Sequence, residues 1–172
     1  MANSEFDTHR VFNQSPELSG YNAWEQDTLL QRELTLRAPW ACALANEYGA
    51  QVGGPLLEAG FLAEKFPPQF NSHDRVGERI DRVDYHPAYH QLLAAAFANG
   101  WPMLPWIDAR PGAQVARAAL QYLHHQADSG SGCPLTMTFA ALPVIRKCEA
   151  LASEWVPLLT SGQYDPTDRP WF

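Results

Sequence analysis

One hundred and seventy-two residues, 46% hydrophobic and 18% charged, make a globular composition and exclude a disordered chain. A formal net charge of −7, with no stretch that concentrates Lys and Arg, excludes a broad electrostatic grip on nucleic acid or anionic lipid. Cys42, Cys133 and Cys148 are too few and too unevenly spaced for a disulfide framework or a paired-cysteine zinc site.

Residues 1–7 show no basic region followed by an apolar run, and no window approaches 18 consecutive apolar residues. The sequence therefore predicts a cytoplasmic chain with reduced thiols and no membrane partner. The first two dozen residues carry no period and read as an extended arm over 1–25. Helical patterning follows over 26–162, and 163–172 forms a tail ending on Trp171 and Phe172. Thr28 followed by Gln31 predicts a capping box, with Leu30, Leu34 and Ala38 on the first helix's inner face.

Pro39 fits the first turn of a second helix through Ala43 and Tyr48, fading at Gly53-Gly54. Pro55 opens a third, which Pro67-Pro68 terminates because neither ring extends the hydrogen-bond ladder. From Gln69 to His86 the chain is polar and charged and predicts a long surface loop, with a short strand near Ile80 to Tyr85. Loops of this length are functional or held by a partner. A fourth helix starts at Pro87 and closes at Gly100. The Trp101-Pro102-Met103-Leu104-Pro105-Trp106 link predicts irregular backbone with its two indoles packed, each N–H at a polar edge. A fifth helix follows Pro111-Gly112, and a sixth begins at Pro134 with a break or kink at Pro143. A seventh spans roughly Glu149 to Thr160. With strand alternation nearly absent, the fold class is all-α, a bundle of about six to seven helices.

Few residues carry recognisable chemistry. His86 and His90 have the four-residue spacing of zinc ligands on a helix, but His86 precedes a proline and no third ligand is placed, so no metal is expected. His124 and His125 point about 100° apart on a helix, which predicts one surface and one partly buried imidazole. Cys133 precedes a helix start but has no oriented base. Asp81 and Asp84 sit beside Arg79 and Arg82 and read as surface ion pairs. Phosphate-loop, dinucleotide, nucleophile-elbow and zinc-protease signatures are absent. No catalytic residue is assigned, and an enzyme built on His90 or Cys133 ranks last.

Five stretches in register nevertheless resemble AidB-type acyl-CoA dehydrogenase-like flavoproteins. They are 8–16 (THRVFNQSP), 67–90 (from Pro67-Pro68 through HDRVGERID to VDYHPAYH), 112–119 (GAQVARAA), 132–141 (GCPLTMTFAA) and 164–166 (YDP). The resemblance covers essentially the whole chain. It implies the amino-terminal helical domain of an FAD-binding acyl-CoA dehydrogenase fold, from a class associated with the adaptive response to alkylation. The family's flavin-binding segment, catalytic carboxylate and proposed DNA-binding region are expected beyond Phe172, so FAD is implied for the complete protein and no cofactor for this chain alone.

Carried onto this sequence, the resemblance implies that Thr136, Met137, Thr138 and Phe139 form a wall of the acyl and flavin cavity. It also implies that Val11, Phe12 and Asn13 belong to an arm used in oligomer contacts. The expected partners are further copies or a protein supplying the missing layers, with no nucleic acid bound through this chain. A stand-alone helical interaction module is the second reading.

Overall fold

Asp27 starts the first helix. Its Oδ1 accepts the Leu30 backbone N–H at 2.8 Å, so α1 runs Thr28–Arg37 and the cap is the residue before the expected Thr28. Replacing Asp27 by alanine is expected to cost about 1 kcal/mol in urea denaturation. An unchanged midpoint would show that Thr28 supplies the cap after all.

The computed structural model describes Thr8 and residues 12–167. A 3-10 turn at Pro39–Ala41 leads into α2 (Cys42–Val52), and α3 covers Pro55–Lys65, with Pro39 and Pro55 in the first-turn positions expected of them. Then come α4 (Pro87–Ala98), α5 (Leu104–Ile107), α6 (Ala113–Ala127), α7 (Gly132–Ile145) and α8 (Glu149–Leu159). The helical class holds, with eight helices among the described residues.

Three local expectations are corrected. The long surface loop is a hairpin, β1 (Gln69–His73) paired antiparallel with β2 (Arg79–Asp84), Gln69 opposite Asp84 and His73 opposite Arg79. The strand near Ile80 is present, but its partner carries no apolar alternation and was not visible in the sequence. Asp74 makes the turn, its Oδ1 accepting N–H groups from Val76 and Glu78 at 2.9 Å while Gly77 takes φ 88°. Next, the Trp101–Trp106 link contains the single turn α5, because Pro105 sits where a helix start needs no donor. Both indoles pack, Trp101 lying fully buried near His124 and Trp106 against Phe139 at 5.1 Å.

The third correction concerns α7, which begins at Gly132 and continues through Pro143 to Ile145. Proline at 143 removes the donor that would bond the Phe139 carbonyl four residues back. Trp106 Nε1–H donates to that carbonyl instead, at 3.0 Å. A side chain from α5 repairs the ladder.

Packing follows the apolar stripes. Leu34, Tyr48, Val52, Leu92, Trp101, Leu120, Leu123, Leu135 and Leu142 are almost wholly buried in one core. Helix α2 lies on α6 and α3, α3 on α4, and α7 on α8. Several close approaches demand glycine, and two of them join packed elements. Gly49 and Gly53 form a groove in α2 that takes the chain at 21–24, with Tyr21 N–H donating to Gly53 O at 3.2 Å and Ala23 N–H to Gly49 O at 3.0 Å. Part of the expected arm is thereby docked, and Ala23 and Trp24 are buried. At Gly60, where α3 meets α6, an added Cβ would stand 2.0 Å from the Ala127 carbonyl oxygen. No helix among the described residues is long and apolar enough to cross a membrane.

Candidate functional site

Helix α7 is unusual for a surface element. From Gly132 to Ile145 it holds no charged side chain, yet only Gly132, Leu135 and Leu142 are buried. A helix apolar all round belongs in a core. Here Met137 is 67% exposed and Val144 65%, and Leu151 on α8 is 47% exposed. That face is apolar and open to water.

Beside α7 lies a groove of about 460 Å³, in the size range of small-molecule sites. Tyr89, His90, Leu93 and Phe97 of α4 line one side. Leu135, Met137 and Thr138 line the other, and Tyr164 to Thr167 close one end. The walls are mainly rings. Tyr85 and Tyr89 stack with centroids 4.5 Å apart, and His90 meets both edge-on. His90 Nδ1 is hydrogen-bonded to the Tyr164 hydroxyl at 2.6 Å, which ties the segment after α8 to α4. Burial raises the Tyr89 phenol above its ordinary value, with Tyr85, Asp128 and Cys133 adding to the effect, so the wall is neutral there. The lining contains no Lys or Arg. It suits an alkyl or acyl chain and offers no cation to a diphosphate.

The four residues expected to form a cavity wall divide. Met137 and Thr138 line the groove, and Thr138 Oγ1–H donates back to the Pro134 carbonyl at 3.1 Å. Thr136 is exposed outside it. Phe139 turns to the other flank of α7, under Trp106 and Arg117. Of the arm residues, Val11 lies outside the described residues, Phe12 is 81% exposed and Asn13 has φ 65°.

His86 and His90 are not brought to one point. His86 Nδ1 accepts the Ala88 N–H at 3.2 Å and its ring stacks on Phe66, whereas His90 turns to Tyr164. Among the described residues no three His, Cys, Asp or Glu side chains converge. Cys133 is exposed in the first turn of α7. Asp81 and Asp84 pair with Arg79 at 2.6 Å and Arg82 at 2.7 Å on the hairpin.

His124 is the buried member of its pair, and no local pattern points to its partners. Ser131 Oγ–H donates to Asp128 Oδ2 at 2.5 Å, so Ser131 must accept from His124 Nε2–H at 2.8 Å. That fixes the neutral tautomer. His124 Nδ1 then accepts the Tyr48 hydroxyl at 2.6 Å. Burial drives the Tyr48 phenol well above its usual range and the His124 imidazole down to about 4. The relay runs from α2 through α6 to loop 128–131, which rims a second hollow of about 720 Å³ shared with Gly60, Phe61 and His125.

Residues 13–166 match the profile of the adaptive response protein AidB N-terminal domain. The chain belongs to this family. It is 41% identical over 162 residues to the putative acyl-CoA dehydrogenase AidB of Escherichia coli (strain K12), covering 92% of this chain and 30% of that protein. The AidB N-terminal domain fold also superimposes on the Caenorhabditis elegans ACDH-11 structure in complex with C11-CoA. There the TM-score is 0.78 at 20% identity, over 92% of this chain and 29% of that one, a likeness of fold alone. The apo-form of Bd2924 gives a TM-score of 0.76 at 26% identity, over 90% of this chain and 32% of that one. The chain thus spans about a third of the length of the relatives it matches.

Proposed function

We propose that this AidB N-terminal domain supplies one wall of an acyl-binding cavity in a complete FAD-dependent protein, with the adaptive response to alkylation as its setting. The observation that carries the reading is α7, an uncharged helix with Met137 and Thr138 on an aromatic groove and an uncovered apolar face beside it. In a protein three times longer, as the relatives are, that face packs against the remaining layers. The described residues give no cationic cradle for the flavin's diphosphate at the groove, so FAD is held chiefly by other segments and no chemical step is assigned to this chain. A purified preparation is expected to be colourless, and a stoichiometric flavin spectrum would overturn that assignment.

The groove itself is tested with undecanoyl-CoA, a probe chosen from the ligand in the ACDH-11 structure. Methyl NMR of Met137 and amide shifts of Thr138 and Tyr89 are expected to move saturably, while Thr136 stays still. Met137→Arg should weaken the response at least tenfold, the order expected for a charge placed in an apolar cleft. Shifts spread evenly over the chain, or none, would sink the acyl reading.

A second reading, an association module without catalysis, draws on the same exposed stripe. Apolar faces of this kind mark partner sites. Self-association, with Phe12 and Asn13 in the contact, or capture of a protein carrying the other layers is the corresponding proposal. Sedimentation showing a clean monomer at high concentration would remove the self-association part.

A further inference from the structure

We propose that Arg117 is an anion-binding residue whose free Nε–Nη2 edge takes the paired oxygens of a carboxylate or phosphate, a site distinct from the groove. Arg117 lies on α6 beside the buried Ala116 and Leu120. Its guanidinium is held between two rings, 5.1 Å from the Trp101 centroid and 4.0 Å from that of Phe139. Nη1 donates to Gln121 Oε1 at 2.6 Å. Nε and Nη2 are shut off from solvent and have no acceptor among the described residues.

The two empty donors are not arbitrary. Nε–H and Nη2–H point the same way and form the side-on fork that matches a two-oxygen anion. The flanking rings attract the cation through its faces and leave the in-plane N–H groups unsatisfied. The contrast with the other arginines sharpens the assignment. Arg32, Arg37, Arg79, Arg82 and Arg110 each have a carboxylate within 4 Å, Arg146 donates to the Trp106 carbonyl at 2.9 Å, and these six, like Arg75, are exposed to water. Arg117 alone among the described arginines is part-buried, and it has no carboxylate. Buried polar groups are almost always paired, so an orphan of this kind marks an absent partner. Burial also lowers its pKa, in keeping with a cation stripped of water and not yet compensated. Phe139 is itself partly exposed, so the site lies near the surface.

The test follows the Arg117 Nε–Hε resonance of the full chain at pH 7 and fixed ionic strength, in inorganic phosphate, in acetate and in chloride. A saturable shift in phosphate or acetate, absent in chloride, is expected. Phosphate alone would name a phosphate-bearing ligand, and a response to acetate a carboxylate. Thermal melting in the same salts provides the second readout. Arg117→Lys keeps the charge and loses the fork, so its midpoint for anion stabilisation should rise at least tenfold. Arg117→Met checks that the fold survives without the cation. Equal behaviour in all three salts, or an undiminished anion response in R117K, overturns the proposal.

Discussion

Acidification from pH 6.5 to 4 is expected to remove about 3 kcal/mol of stability through His124 alone, at 1.36 kcal/mol per pH unit. The sign follows from where the proton goes. In the unfolded chain the imidazole titrates near 6.5, whereas in the fold burial holds it to about 4, with the Asp128 carboxylate opposing and His125 reinforcing the effect. Above pH 6.5 both states are neutral there and nothing is lost. Between the two values only the unfolded chain takes up the proton, so stability falls steadily with pH and levels off near 4.

Urea midpoints measured across that window check it, with His124→Gln as the comparison. Glutamine cannot titrate and has both a donor and an acceptor for Ser131 and Tyr48. If the wild type and H124Q lose stability in parallel, His124 is not the responsible group. At pH 7 His124→Ala should cost about 3 kcal/mol, since it opens a cavity and orphans the Tyr48 hydroxyl at once.

Gly60→Ala is expected to destabilise by about 3 kcal/mol, although glycine to alanine inside a helix ordinarily stabilises by about 1 kcal/mol. The reversal comes from the Ala127 carbonyl, whose oxygen would be 2.0 Å from the new methyl carbon. Backbone cannot rotate aside as a side chain can, so α3 and α6 must separate and disturb loop 128–131 with them. Thermal denaturation decides the matter by its direction alone. A higher melting temperature for G60A would mean that the helices do not meet as described.

The helices were legible because prolines punctuate them. Pro39, Pro55 and Pro87 start elements, Pro67-Pro68 stops one, and Leu34 or Leu123 mark inner faces at helical spacing. The hairpin was only half visible, since β1 reads Gln-Phe-Asn-Ser-His and is set by the Asp74 turn and not by its own pattern. Family resemblance points to α7, but periodicity cannot tell that Thr138 faces the groove and Phe139 does not. His90 meets Tyr164 across 74 positions and Tyr48 meets His124 across 76, and no local signal spans such distances. The orphaned edge of Arg117 is likewise a product of packing.

Pro143 would ordinarily weaken α7, and Trp106 mends it from the flank turned away from the groove. The carbonyl that Pro143 leaves without its helical donor is therefore satisfied from the rear of this wall. A drift at position 106 could widen or narrow the space beside Met137 and Thr138 while every residue facing that space stayed the same. Ligand preference in such a lineage would shift with no trace in the lining.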